Sequence, residues 1–263
     1  MLSLLCTSPA SALEDEPDDR LSPDQRRLVG GLIQRGMPEL VEELLSGAPT
    51  MHRVYIARAY SKAAVDETSP EQREELYGRA AEEYRRAISL SRDAAWLRGE
   101  KRRFDVSHWR VELGEMILRF WIARDLDQFE ITSGLEYDAE RLRARLEEAR
   151  ECYRLAGKTL EDLDVGLRTE EERYLLMGIA EQIPALLDQQ RFNLAWTELY
   201  LGTIAPLRSP ERRLLDEALV AFDTYSRIAP DEERKYQALL GAGIALRETG
   251  RHDESIAALE RVI

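Results

Sequence analysis

Cysteine is almost missing from this chain: 263 residues contain two, Cys6 and Cys152. Two isolated thiols make neither a disulfide framework nor a set of zinc ligands. Phenylalanine occurs five times, and valine, isoleucine and threonine are sparse, while alanine, leucine, glutamate and arginine dominate. That usage disfavours an extensive sheet and favours helix throughout. Positive charge is short as well. Against 50 acidic residues stand 37 basic ones, a net charge of −13 that opposes phosphate backbones and anionic lipid surfaces, so nucleic acid is not an expected partner. Long apolar runs are absent too: the longest, 111–123, is broken by Glu112, Glu115 and Arg119, far short of the roughly 20 residues that cross a bilayer. What remains, 44% hydrophobic residues, is enough for a continuous core.

That core is distributed over apolar stripes at helical spacing, separated by segments rich in Pro, Gly, Ser or Asp. Ser22-Pro23 opens a helix that Gly36 and Pro38 end, and 39–45 makes it a hairpin. Further helices are predicted over 51–65, 70–90, 103–129 and 138–163. In the last of these, Leu142, Leu146, Ala149, Tyr153, Ala156, Leu160 and Leu163 step by threes and fours along one face. Another starts at Thr169-Glu170, with Pro184 expected to kink or end it. Segments 192–204, 210–228, 231–248 and 253–263 complete the series.

One pattern repeats. Ala80-x3-Tyr84-x2-Ala87 recurs as Ala149-x3-Tyr153-x2-Ala156, as Ala218-x3-Phe222-x2-Tyr225, and more loosely as Ser255-x3-Leu259-x2-Val262. The first two intervals are 149 − 80 = 69 and 218 − 149 = 69, close to twice a 34-residue period. A small residue lets a neighbouring helix approach, an aromatic fills the gap, and a second small residue closes the face. Hairpins built this way bury their apolar sides against neighbours, which predicts an all-α fold, a solenoid of antiparallel helical hairpins.

The segment 236–263 resembles a tetratricopeptide repeat (TPR). Leu239, Ala242, Gly243 and Leu246 match its first helix, Gly250 its turn, and Glu254, Ser255, Leu259 and Val262 its second helix. Looser matches pair Trp196, Leu199 and Tyr200 with Ala218 and Phe222, ending at Pro230; Leu113, Gly114 and Ile117 with the Tyr153 triplet; and Ile56, Ala57 and Tyr60 with the Tyr84 triplet. The hairpin 28–45 is similar to the start of long exported bacterial TPR proteins. The resemblance implies a right-handed TPR-like superhelix over 21–263, truncated at its carboxyl end because the last repeat stops about six residues early. It also implies a concave groove lined by first-helix side chains. Carried over by position, that groove contains Arg58, Lys62, His108, Glu115, Arg119, Thr197, Gln237, Arg247 and Glu248, along with Val111, Leu194, Leu201, Leu240 and Ile244. The paired Lys and Asn residues with which chaperone-binding TPR domains hold a terminal carboxylate are not present as a set.

Residues 1–20 read as a separate segment. MLSLLCTSPASA carries no charge, Ala10-Ser11-Ala12 fits a signal-peptidase site, and the acidic LEDEPDD follows. An exported or periplasmic protein is one reading; a disordered cytoplasmic tail is the other.

Motifs for chemistry are lacking. Gly241-Ala242-Gly243 has no third glycine and no preceding strand, so it reads as a close helix contact, as does Gly30-Gly31. His52, His108 and His252 share no metal-ligand spacing. Asp125, Asp127, Asp162 and Asp164 read as solvated or capping carboxylates rather than an acid–base pair. The arginines of Lys101-Arg102-Arg103, Arg141/Arg143/Arg145 and Arg212-Arg213 are interleaved with glutamates, which predicts pairing within helices on wet faces. Trp96, Trp109, Trp121, Trp196 and Cys152 read as packing residues. The expected function is therefore a non-enzymatic scaffold for a protein or peptide partner, with no cofactor and no metal. The alternatives are self-stacking through the last repeat, or an accessory domain whose catalytic part lies beyond residue 263.

Overall fold

A computed structural model describes residues 21–93, 96–122, 139–229 and 231–262. Residues 1–20, Asp125, Asp127, Asp138 and Pro230, and the side chain of Trp96, lie outside the described residues. Among the described residues there are eleven α-helices and no strand.

Helix α1 (Pro23–Gln34) starts where the sequence predicts. The Ser22 hydroxyl accepts from the Gln25 amide and the Gln25 side chain accepts from the Ser22 amide, a reciprocal cap that satisfies two otherwise orphaned donors. Gly36, at φ +61°, takes the left-handed turn into α2 (Pro38–Leu44). Helix α3 (Arg53–Asp66) and α4 (Pro70–Ser89) follow, the latter capped by Ser69. Helix α5 (Glu100–Met116) runs into one π-helical turn, Ile117–Trp121. Next come α6 (Ala139–Thr169), the short α7 (Glu171–Leu176), α8 (Gln182–Ile204), α9 (Arg213–Ile228), α10 (Glu232–Glu248) capped by Asp231, and α11 (His252–Leu259).

Packing runs along the chain. Helix α3 packs on α4, α5 on α6, α6 on α8, α8 on α9, α9 on α10 and α10 on α11, while α1 and α2 cover α3. Neighbours are antiparallel: Gly114 of α5 faces Tyr153 of α6 while Arg103 at the other end reaches Asp162 at 3.1 Å. All seven residues of the α6 stripe are fully buried, as predicted. So are the Ala80–Ala87, Ala149–Ala156 and Ala218–Tyr225 triplets, apart from slight exposure of Tyr84 and Tyr225. A Cβ on Gly114 would stand 2.7 Å from the Tyr153 ring, and one on Gly241 2.6 Å from the Phe222 ring. Here glycine is required by approach, not by backbone angle.

Three expectations need correction. Pro184 neither kinks nor ends a helix: α7 stops at Leu176, Gly178 (φ +67°) turns the chain, and Pro184 lies in the first turn of α8, where its missing N–H would have had no partner. The predicted helix at 192 therefore begins at Gln182. Gly30 and Gly31 are not contact glycines, since a Cβ on either meets nothing within 4 Å. Because alanine loses less chain entropy in a helix, Gly30→Ala is expected to raise stability by about 0.5–1 kcal/mol in urea unfolding. Finally, Arg145 is not on a wet face: it is buried, lies over the Trp121 ring at 4.2 Å and makes an ion pair with Glu74 of α4.

Candidate partner-binding face

The first helices of the four hairpins, α3, α5, α8 and α10, are joined by polar contacts between helices that are not adjacent in sequence. Arg58 of α3 grips Glu112 of α5 with two nitrogens, Nη2 at 2.8 Å and Nε at 3.1 Å from Oε1. His108 Nε2 lies 3.5 Å from the same carboxylate. One turn on, Ser61 Oγ is 3.0 Å from Met116 Sδ. Glu115 of α5 then accepts from Gln189 of α8 at 2.8 Å, and Arg119 reaches Asn193 Oδ1 at 3.4 Å. The Arg119 Nε also pairs with Glu115 at 3.2 Å, which fixes both side chains. Asp188 of α8 pairs with Arg234 of α10, whose guanidinium lies 5.1 Å from the centre of the Phe192 ring. Arg58, Glu112, Glu115, Arg119, Asp188, Gln189 and Arg234 are at least partly exposed, whereas Met116 and Asn193 are buried.

Beneath this row stands Tyr153, fully buried, its hydroxyl held well above the ordinary phenol range by burial, with Glu115 pushing the same way. The buried Gln190 and Asn193 side chains flank the α6–α8 contact, Gln190 against Gly157.

The expected face residues divide. Arg58, His108, Glu115 and Arg119 come together in the row. Lys62 is nearby on α3 and pairs locally with Asp66 at 2.6 Å. Gln237 bonds to Glu233 at 3.3 Å, and Arg247 pairs with Glu248 at 3.0 Å, all on α10. Leu194 and Ile244 are partly buried, and Leu240 is exposed. Thr197 is a correction: it is fully buried and donates its hydroxyl to the Asn193 carbonyl at 2.8 Å. Val111 and Leu201 are likewise core residues. Glu112, Asp188, Gln189, Asn193 and Arg234 were missed. Their partners lie 46 to 74 residues away, and the available local signal was weak: a lone Asn193 between Phe192 and Leu194.

The second helices carry their own ion pairs. Arg85 of α4 makes two 2.7 Å bonds to Glu148 of α6; Arg143 bridges Glu147 at 2.9 Å and Glu211 at 2.6 Å; Arg150 holds Glu198 at 3.1 Å and Glu217 at 3.6 Å. Only part of the arginine pairing is therefore intrahelical. Burial raises the Glu198 carboxyl, with Arg150 opposing it. A cleft of about 230 Å³ opens between α6 and the ends of α8 and α9, and one of about 550 Å³ between α9, α10 and α11. Asp162 and Asp164 are engaged by Arg103 and Arg168 respectively, at 3.1 and 2.6 Å.

Cys152 is partly buried near Arg85, Arg110 and Glu148, and burial pushes its thiol up to about 12. At pH 8 its thiolate fraction then falls about 10³-fold below that of a free cysteine. Iodoacetamide is expected to leave Cys152 unlabelled in the native protein and to label it in urea, read by peptide mass spectrometry; rapid native labelling would contradict the packing.

Comparison of the chain with protein-family models, curated proteins and solved structures gives no match in any of the three. No helix among the described residues is long and apolar enough to cross a membrane.

Proposed function

We propose that this chain is a non-enzymatic scaffold, a TPR-like α-solenoid that presents the face of α3, α5, α8 and α10 to a protein or peptide partner. The carrying observation is the continuous row of half-exposed charged and amide side chains from Arg58 through Glu115 and Arg119 to Asp188 and Arg234. Such a row offers donors and acceptors at successive heights along a groove, the arrangement that an extended chain with its regularly spaced amides can use. Paired charges keep the face hydrated and specific without committing it to one sign.

Selection of displayed random peptides against the full chain, followed by calorimetry on the winners, tests this. Arg119→Glu and Lys62→Glu are expected to weaken the selected peptides at least tenfold, while Arg154→Glu on the outward side of α6 leaves them unchanged. Failure to recover any peptide, or equal loss from Arg154→Glu, would defeat the reading. Reproducible turnover by the chain would defeat the non-enzymatic part. Export is proposed on the Ala10-Ser11-Ala12 pattern, and a native amino terminus at Leu13 is the expected result of sequencing the protein from its own cells.

A further inference from the structure

Three polar side chains beneath the first-helix face are buried with hydrogen-bonding atoms to spare. Tyr153, Gln190 and Asn193 are 0%, 2% and 2% exposed, and the Tyr153 hydroxyl, Gln190 Oε1 and Asn193 Nδ2 have no partner among the described residues. Close packing holds two of them there. A Cβ on Gly114 would stand 2.7 Å from Tyr153 Cζ, and one on Gly157 2.8 Å from Gln190 Nε2, so the backbones of α5 and α6 make room for a phenol and a carboxamide. A buried polar group without a bond destabilises the fold, whereas an apolar group of the same shape would not.

The three groups converge. Asn193 of α8 faces Tyr153 of α6, Gln190 lies one turn earlier on α8, and Glu115 and Arg119 of α5 are the charged groups beside them. Arg119 is their cover: its side chain is 47% exposed, and a single 3.4 Å bond ties it to Asn193 Oδ1. Lifting it breaks that long bond alone, because its pair with Glu115 is on its own helix. The unused set below is two donors, Asn193 Nδ2 and the Tyr153 hydroxyl, and one acceptor, Gln190 Oε1. An anion would meet Gln190 Oε1 and the Glu115 carboxylate; a cation would meet the donors and Arg119. A neutral primary carboxamide satisfies all three, its oxygen accepting from Asn193 and Tyr153 and its NH2 donating to Gln190. Depth decides the source, since a main chain lying along the exposed row stays above these atoms and a side chain reaches down to them.

We infer that the face selects a partner segment bearing glutamine or asparagine, whose side-chain carboxamide enters under Arg119 and bonds to Asn193 Nδ2, the Tyr153 hydroxyl and Gln190 Oε1. The inference rests on the peptide-binding reading of the α3–α5–α8–α10 face and names what that face recognises.

Random peptide libraries with the central position fixed as Gln, Asn, Glu, Lys or Leu, passed over the immobilised full chain, test it. The Gln or the Asn library is expected to be retained about three- to tenfold better than the Glu, Lys and Leu libraries, the effect of one added hydrogen bond, and the better of the two reports the depth of the seat. Tyr153→Phe removes one donor and nothing else. It should weaken the retained peptides about three- to tenfold and leave the urea midpoint of the free protein unchanged or higher, since the hydroxyl has no bond to lose. A hydroxyl with a purely structural role would instead lower that midpoint, which would overturn the inference. Equal retention of all the libraries would overturn it too and leave the peptide-binding reading standing, whereas retention of none would overturn both.

Discussion

Tyr153→Ala is expected to lower the free energy of unfolding by about 3–5 kcal/mol, the cost of emptying a fully buried aromatic site. The ring is enclosed on one side by Gly114, whose missing side chain leaves no atoms to relax inward, and on the others by the α6 stripe and α8. Helices that pack along their whole length cannot collapse locally without shifting the neighbouring turns, so the cavity stays open. Urea titration followed by circular dichroism reads the effect as a lower midpoint at constant m. The double variant Tyr153→Ala with Gly114→Leu should recover part of the loss, because the new side chain enters the vacated space; strictly additive or greater loss would place the ring elsewhere.

Gly241→Val carries the next largest effect, about 1–3 kcal/mol or more from overpacking. A Cβ there falls 2.6 Å from Phe222, a ring that cannot yield because it meets Phe192 and Trp196 edge-on, at 6.2 and 5.1 Å between centroids. Phe222→Ala in the same chain should relieve the clash. Gly241→Ala carries the same Cβ and its clash with Phe222, offset by about 1 kcal/mol of helix propensity, so it is expected to destabilise less than Gly241→Val. A neutral or stabilising Gly241→Val would mean that α10 does not lie on α9 as described.

The contrast between Gly241 and Gly30 shows what a sequence can carry. Both are glycines in apolar helical stripes, and both read as contact positions. What separates them is the neighbour: the repeat supplies Phe222 opposite Gly241, while nothing lies opposite Gly30. Periodicity made the α6 stripe and the Tyr153 and Phe222 positions legible because burial repeats with the helix. The start at Pro184 was hidden because proline has the same local chemistry one turn inside a helix start as in a break, and only the chain reversal at Gly178 decides. The first-helix face was half legible. Arg58, Glu115 and Arg119 follow from helix position, but Glu112, Gln189 and Asn193 join them through contacts across distant segments, and Thr197 is removed from the surface by its bond to the Asn193 carbonyl.

Packing that passes mainly between helices near in sequence has a consequence for how the chain assembles. Few native contacts require distant segments to meet before local ones exist, so the entropic barrier to the first folded hairpin is small and folding is expected to be fast for a chain of this length. Helix α11 packs chiefly on α10, and Ser255 is its buried residue, whereas α6 is held by α5 on one side and α8 on the other. Amide exchange should therefore be graded along the chain, slowest in α6 and fastest in α11, so that the terminal hairpin melts and reforms while the centre stays intact.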